Sequence, residues 1–254
     1  GTLPGQTSAG GQDAFVRKYD ANGNEVWTMQ FGSSTDDVAY GISVDASGVY
    51  VTGWTYGTFP GQTSAGYWDA FVRKYRANGN EVWTMQFGSS TDDVAIGISV
   101  DASGVYVAGW TSGTLPGQTS AGGYDAFVRK YDARGTEVWT QQFGTSTNDE
   151  AYGISVDASG VYVAGYTSGT LPGQTSSGGY DAFVRKYEVN GNEVWTRQFG
   201  SSDLDWVCGI SVDASGVYVA GYTYGTLPGQ TSAGDVDAFV RKYEVNGNEV
   251  WTRQ

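Results

Sequence analysis

A repeat of 56 residues is the feature that most constrains this chain. Equivalent segments follow one another without insertion, as four complete repeats and a partial fifth, with the boundaries 1–56, 57–112, 113–168, 169–224 and 225–254. Such regular spacing means that each repeat folds as the same unit and contacts mainly its neighbours. The chain 1–254 is therefore predicted to be one repeat array, either whole or a segment of a longer array.

Each repeat contains four short segments typical of β-strands. In the first repeat they read "DAFVRKY" (13–19), "NEVWTMQFG" (24–32), "DVAYGISVD" (37–45) and "GVYVTGWT" (48–55). β-branched and aromatic residues dominate them, and no helical periodicity is present. The dipeptide Asn22-Gly23 between the first two segments predicts a tight type I′ hairpin turn. One repeat thus predicts two hairpins, which we expect to join in a four-stranded antiparallel sheet.

Four strands in a repeat of this length predict an all-β fold of the β-propeller type. Several segments are apolar on both faces, as in Val49, Tyr50 and Val51, which suits a sheet packed between two neighbours. A propeller repeats such sheets around an axis and protects their edges. A β-sandwich would show cleaner alternation, and a β-solenoid has shorter repeats with no need for Asn-Gly hairpins.

Three sequence elements, "DAFV.KY", "G....D..YGI.VD" and "G.VYV.G.T", recur from repeat to repeat along the whole chain. With these elements the sequence resembles the SBBP repeats, a family of bacterial secreted and cell-surface proteins named for a seven-bladed β-propeller. The resemblance implies a propeller, an extracellular or cell-surface location and no assigned catalytic residues. The chain departs from the family name because it holds four and a half repeats.

The segment "GISVDASGVYVAG" is similar to the first two strands of NHL-type propeller blades. This similarity places "GISVD" innermost, "VYVTG" second, "DAFVRKY" third and "EVWTMQ" outermost. The chain then holds five outer hairpins and four inner ones, so the N-terminal outer hairpin (13–32) has no inner hairpin to join. We expect its open edge to be covered by further sequence, by a partner or by self-association.

Composition excludes several classes of partner and chemistry. The 27 Asp and Glu residues outnumber the 14 Lys and Arg residues, which argues against nucleic acid and against an anionic membrane surface. No apolar run approaches the roughly 20 residues that span a bilayer, so no membrane insertion is expected. The absence of His and the single Cys208 remove the usual residues of acid-base, zinc and thiol chemistry. We therefore expect no enzyme activity, no metal site and no cofactor.

An Asp precedes the innermost strand in each complete repeat and could line an acidic mouth that collects cations. The favoured interpretation is structural: each Asp caps a turn or pairs with the Arg on the third strand of its blade. The residues concerned are Asp37, Asp93, Asp149 and Asp205, with Arg17, Arg73, Arg129 and Arg185. The segment "DANGNE" (20–25) suggests a calcium loop, but Arg76 replaces its first Asp in the second repeat, so a simple turn is predicted.

The candidate ligand-binding residues are aromatic and lie where the repeats disagree. If the strand order is right, these positions share one rim with the variable segment that introduces Trp206 and Cys208. Aromatic side chains there could stack on a sugar or anchor another protein, or they could be ordinary packing residues. The candidates are Trp54, Trp68, Trp110, Tyr124, Tyr166, Tyr180 and Tyr222. The Trp that recurs on every outermost strand, as at Trp27, is instead predicted to pack blades together.

Two functions remain open on the sequence. The first is a non-catalytic extracellular scaffold or protein-interaction module of a bacterial surface or secreted protein. The second is a carbohydrate-binding propeller that uses the aromatic rim, with a protein or a glycan as the respective partner. An enzyme is the least favoured of the three classes.

Overall fold

The computed structural model describes residues 1–254 and contains β-strands, turns and loops only. The strands form one two-stranded sheet and four sheets of four strands, all antiparallel. The two-stranded sheet contains β1 (Ala14–Tyr19) and β2 (Glu25–Phe31). The first four-stranded sheet contains β3 (Asp37–Asp45), β4 (Gly48–Thr55), β5 (Asp69–Tyr75) and β6 (Glu81–Phe87).

The other three sheets repeat this arrangement. The second contains β7 (Asp93–Asp101), β8 (Gly104–Thr111), β9 (Asp125–Tyr131) and β10 (Glu137–Phe143). The third contains β11 (Asp149–Asp157), β12 (Gly160–Thr167), β13 (Asp181–Tyr187) and β14 (Glu193–Phe199). The fourth contains β15 (Asp205–Asp213), β16 (Gly216–Thr223), β17 (Asp237–Tyr243) and β18 (Glu249–Arg253). No helix long and apolar enough to cross a membrane is found.

Strands lie side by side in chain order within each four-stranded sheet, which confirms the predicted blade. The order β3-β4-β5-β6 begins with the "GISVD" strand and ends with the "EVWTMQ" strand. Pairing of Thr55 with Asp69 across β4 and β5 joins the inner hairpin to the outer one. Each sheet therefore takes its inner hairpin from one repeat and its outer hairpin from the next.

Apolar residues pack each sheet against the next one along the chain. At the interface of the first and second sheets, Val72 and Trp83 lie in one cluster with Ile98, Phe127 and Tyr131. The inner strands β3, β7, β11 and β15 follow one another at the axis, and the fourth sheet does not return to the first. The all-β propeller architecture is confirmed, whereas the sheets do not close and leave the number of blades unconfirmed.

The N-terminal hairpin has no inner hairpin, as the strand count predicted. β1 pairs only with β2, and both pack on the first four-stranded sheet. Ile42 and Val44 on β3 are 60% and 66% exposed because nothing covers this side of the inner strand. An apolar cavity of about 400 Å³ lies between them and Trp27.

The recurring Trp of the outermost strand joins consecutive sheets. The indole Nε1 of Trp27 donates a hydrogen bond of 3.0 Å to the carbonyl of Ala77, in the outer turn of the next sheet. Trp83 makes the same bond to Ala133 at 3.3 Å. These contacts support the predicted role of the recurring Trp in packing the blades together. They also show that a hydrogen bond from each indole contributes to that packing.

The hairpin turn differs from the prediction of type I′. Type I′ needs a positive φ at both central residues, and here Gly23 has a φ of 83° whereas Asn22 does not have a positive φ. The Asp20 carboxylate accepts hydrogen bonds from the backbone N–H groups of Asn22 and Asn24 at 2.9 and 2.8 Å. These hydrogen bonds to the Asp20 side chain stabilise a loop longer than two residues, in which Gly23 has a left-handed conformation. The register of β1 and β2 shifts beside this loop, between Lys18 and Tyr19.

Candidate functional site

The repeated Asp that begins each inner strand caps the turn that precedes the strand. Asp93 is fully buried, and its Oδ2 accepts hydrogen bonds from the backbone N–H and the hydroxyl of Ser89 at 2.6 and 3.0 Å. Equivalent backbone bonds are made by Asp37, Asp149 and Asp205. Since these carboxylates are buried in the blades, they do not form an open acidic mouth.

Burial has a clear electrostatic effect on these carboxyl groups. Desolvation raises the pKa of Asp93 to about 6, and the nearby charge of Asp69 adds to the rise. The pKa values of Asp37, Asp149 and Asp205 are raised for the same main reason. Every four-stranded sheet thus contains one carboxyl group whose charged form is disfavoured by burial. A feature present in every sheet is consistent with a structural rather than a ligand-binding role.

The predicted pairing of these Asp residues with the strand Arg is wrong. Arg73 lies 3.5 Å from Glu81 on the adjacent outermost strand. The guanidinium also stacks on the ring of Phe31 in the preceding hairpin, 4.4 Å from its centroid. The same Arg–Glu pair forms at Arg17, Arg129 and Arg185. Third-strand Arg residues reach across their own hairpin, because the outermost strand is their hydrogen-bonded neighbour.

Six of the predicted aromatic residues lie in pairs at one rim. The end of the second strand and the residue before the third strand are adjacent across the sheet, so their side chains meet. Ring centroids are 4.7 Å apart for Trp54 and Trp68, and 4.7 Å for Trp110 and Tyr124. For Tyr166 and Tyr180 the separation is 5.0 Å.

Tyr222 takes a different partner. The residue before the third strand of its sheet is Val236 rather than an aromatic residue. Tyr222 instead stacks on Trp206 of its own inner strand, with ring centroids 6.3 Å apart and planes within 6°. The ring centroid of Trp206 also lies 4.2 Å from that of Tyr166 in the preceding sheet, so the aromatic rim continues across the sheet interface.

The structure adds three residues that the sequence analysis did not select: Tyr40, Glu150 and Tyr152. All three lie on innermost strands, near the rim. At the position of Glu150 the other repeats carry Val38, Val94 and Trp206. Sequence variation between repeats could therefore have identified Glu150, because the repeats differ at this position as strongly as at the aromatic positions.

A cavity of about 470 Å³ opens where the inner strands of three consecutive sheets approach one another at the rim. The first sheet contributes Tyr40 and Trp54 with the adjacent Trp68, the second contributes Trp110, and the third contributes Glu150 and Tyr152. The indole Nε1 of Trp54 lies 3.4 Å from the hydroxyl of Tyr40. The cavity is thus mostly aromatic and contains one carboxylate.

Glu150 is held by two tyrosine hydroxyls. Tyr166 donates a hydrogen bond of 2.5 Å to Oε1, and Tyr152 donates one of 2.8 Å to Oε2. Burial, together with the adjacent Glu150 carboxylate, raises the pKa of both tyrosines well above the usual range. Both phenols therefore remain protonated donors at neutral pH, and they orient the carboxylate at the edge of the cavity.

Comparisons with known proteins agree with the repeat architecture. A family model described as the SBBP beta-propeller repeat matches residues 138–172, which confirms the resemblance to a β-propeller repeat family. The regulatory protein FlaEY of Caulobacter vibrioides is 26% identical over 277 residues, covering 95% of this chain. This chain spans 29% of the length of FlaEY.

Among solved structures, the WD40 domain of Neurospora crassa Pan2 is similar with a TM-score of 0.45 and 11% identity. The match covers 98% of this chain and 74% of that chain. The β-propeller repeat fold itself suggests a scaffold for protein interactions.

Proposed function

We propose that this chain is a non-catalytic interaction module of a bacterial surface or secreted protein, and that it binds its partner at the aromatic rim. One observation carries the proposal: residues that differ between repeats come together from three sheets around a single open cavity. Residues that every blade needs are the same in every blade. Variable residues that converge in space instead indicate a surface adapted to one partner.

The chemistry of the rim supports binding of a protein. Trp and Tyr are enriched at the centres of protein interfaces, where large rings bury much area at a low entropic cost. Trp54, Trp110 and Tyr124 are half-buried, so their exposed parts are fixed by the sheet beneath them. A rigid aromatic surface of this kind loses little conformational freedom on binding.

The same cavity offers little for catalysis. Glu150 is its one carboxylate, and both oxygens accept hydrogen bonds from tyrosines. Glycoside hydrolysis would require a second carboxylate about 5 to 9.5 Å away. This arrangement supports a binding role for the rim.

Carbohydrate binding is the second candidate, because Trp54 and Trp68 form a stacked pair whose planes lie within 23° of each other. Flat aromatic surfaces of this kind can stack on sugar faces. A glycan array probed with the wild type and with the Trp54→Ala plus Trp110→Ala variant tests this candidate. Sugar binding that the double variant loses would favour a lectin, and a blank array would exclude the glycans displayed.

The main proposal is tested by affinity capture from the cell envelope and secreted fraction of cells that express the native protein. We expect one protein to be retained by the wild type and lost with Trp54→Ala plus Trp110→Ala. Val138→Ala plus Val194→Ala, which truncates two exposed residues of outermost strands, is the matched control and should retain the same protein. Equal capture by all three forms would contradict a function of the rim.

The extracellular location is tested separately, by labelling intact cells with an antibody against this chain. Labelling without permeabilisation is expected. Labelling that requires permeabilised cells would contradict a surface location.

We also infer that the N-terminal hairpin associates with a second copy of this chain. Phe15 and Tyr19 are 55% and 54% exposed, whereas the equivalent Phe71 and Tyr75 are buried against the preceding hairpin. On the opposite side of the structure, the outer face of the fourth sheet at Trp251 packs against no other sheet. The two free faces are the two sides of the interface that already joins consecutive sheets, so they favour head-to-tail contact.

A further inference from the structure

We propose that the rim cavity binds an organic ammonium ion, with Glu150 as the counterion and the surrounding aromatic rings as the walls. The inference rests on the proposed function for the location of the site, and it adds the chemistry of the group that enters. That group is an alkylated or primary ammonium, carried by a small molecule or by a lysine side chain of a partner.

Five aromatic side chains surround the cavity: Tyr40, Trp54, Trp68, Trp110 and Tyr152. The faces of such rings carry negative charge density and attract cations, most strongly in the case of Trp. Several rings around one cavity form an aromatic cage, an arrangement that recognises ammonium groups with an apolar surface. The volume of about 470 Å³ leaves room for the ammonium group and for part of the chain that carries it.

Glu150 supplies a negative charge that no cation of the protein neutralises. The residue is only 7% exposed, and its hydrogen-bond partners are the neutral phenols of Tyr152 and Tyr166. All 14 Lys and Arg residues lie in the outer hairpins, and the five ion pairs of the protein join Arg to Glu there. A buried carboxylate is costly without a countercharge, and a bound ammonium ion would provide one.

The carboxylate is specific to one place in the array. Glu150 occurs in the third repeat only, and the equivalent residues are apolar or aromatic. Its tyrosine partner Tyr152 corresponds to Ile96 and Cys208 in the neighbouring repeats and to Tyr40 in the first repeat. A single carboxylate in an otherwise aromatic mouth defines one cation site per chain, and the negative net charge of 13 favours the approach of cations.

Three probes test the inference by isothermal titration calorimetry on the full chain. Choline and 3,3-dimethylbutan-1-ol share a shape and differ in charge, so their comparison isolates the cationic contribution. Butylammonium reproduces the end of a lysine side chain, and its affinity relative to choline distinguishes a lysine from a small quaternary cation. We expect at least one cation to bind about tenfold more tightly than the neutral alcohol, a difference of about 1.4 kcal/mol.

Variants then assign the binding to the cavity. Glu150→Gln keeps an acceptor for a tyrosine and removes the charge, and it should weaken cation binding about tenfold. Glu150→Val introduces the residue found at positions 38 and 94, so it is compatible with the fold and should have the same effect. Glu188→Gln makes an equal change of charge in an exposed outer turn and should bind as the wild type does.

Two results would overturn the inference: cations that bind no better than the neutral alcohol, or Glu150→Gln binding cations like the wild type. If either is found while the rim-dependent capture of a partner persists, the ammonium site is refuted and the interaction module stands. If cation binding follows Glu150 while partner capture does not depend on the rim, the ammonium site stands and the proposed function fails.

Discussion

Replacement of Trp83 by Phe should weaken the protein far more than the same change at Trp251. Both residues occupy the same position on an outermost strand, but Trp83 packs against the next sheet and Trp251 contacts its own sheet only. The Trp83 indole donates to the Ala133 carbonyl at 3.3 Å and packs between Tyr50 and Tyr131. Trp251 contacts Tyr218 of its own sheet.

The size of the effect follows from these contacts. Loss of the indole hydrogen bond costs about 1 kcal/mol. The smaller ring leaves part of a buried apolar contact unfilled, which costs about 1 kcal/mol more at about 25 cal/mol per Å². We therefore expect a decrease of about 2 kcal/mol in the free energy of unfolding for Trp83→Phe. For Trp251→Phe, measured at a concentration where the protein is monomeric and the face at Trp251 is free, we expect about 0.5 kcal/mol or less, the range of a change away from packed contacts.

Urea denaturation followed by circular dichroism measures both changes. Because a repeat array can unfold in parts, hydrogen exchange at the turn containing Ala133 should accompany it. Faster exchange at this turn is expected for Trp83→Phe, and unchanged exchange there for Trp251→Phe. Equal destabilisation by the two variants would show that the bond between sheets contributes nothing, and the reasoning would fail.

Two further predictions concern the buried Asp93 and the exposed face of the N-terminal hairpin. The pKa of Asp93 is raised to about 6 from 3.8, so the native state binds the proton more tightly than the unfolded chain, and stability falls as the pH rises from about 4 through about 6. Between pH 4 and pH 7 this group contributes about 2 kcal/mol to the loss of stability. Asp93→Asn should remove that part of the pH dependence in denaturation measured at the two pH values. An unchanged pH profile would contradict the raised pKa. Sedimentation velocity should show concentration-dependent dimers or longer assemblies of the wild type, whereas Phe15→Ser plus Tyr19→Ser should sediment as a monomer. A wild type that stays monomeric at high concentration would rule out association through the hairpin.

Much of the blade could be predicted, because each repeat specifies it locally. Runs of β-branched and aromatic residues separated by turn residues fix strands of the observed length, and the repeat makes every blade alike. The type I′ turn was wrong for a reason that the dipeptide hides: the Asp20 side chain caps the backbone of a longer loop. The Asp–Arg pair was wrong because strand order places Glu81, not Asp93, beside Arg73.

The candidate site was predicted in part. Variation between repeats selected the aromatic rim, and the strand order placed it at one end of the sheets. Glu150 was missed, since its importance depends on neighbours from two other sheets and on two tyrosines that hold its carboxylate. Nothing in the sequence near Glu150 indicates that Trp54 or Trp110 shares a cavity with it.

The sequence by itself determined the unit of two hairpins and four strands, and the resemblance to NHL-type blades implied which hairpin is the inner one. These properties depend on short-range patterns that recur every 56 residues. Only the tertiary structure decided which variable residues meet, because the innermost strands of successive sheets converge near the axis. That convergence brings residues from three sheets to one cavity, where a single carboxylate among aromatic rings forms the candidate binding site.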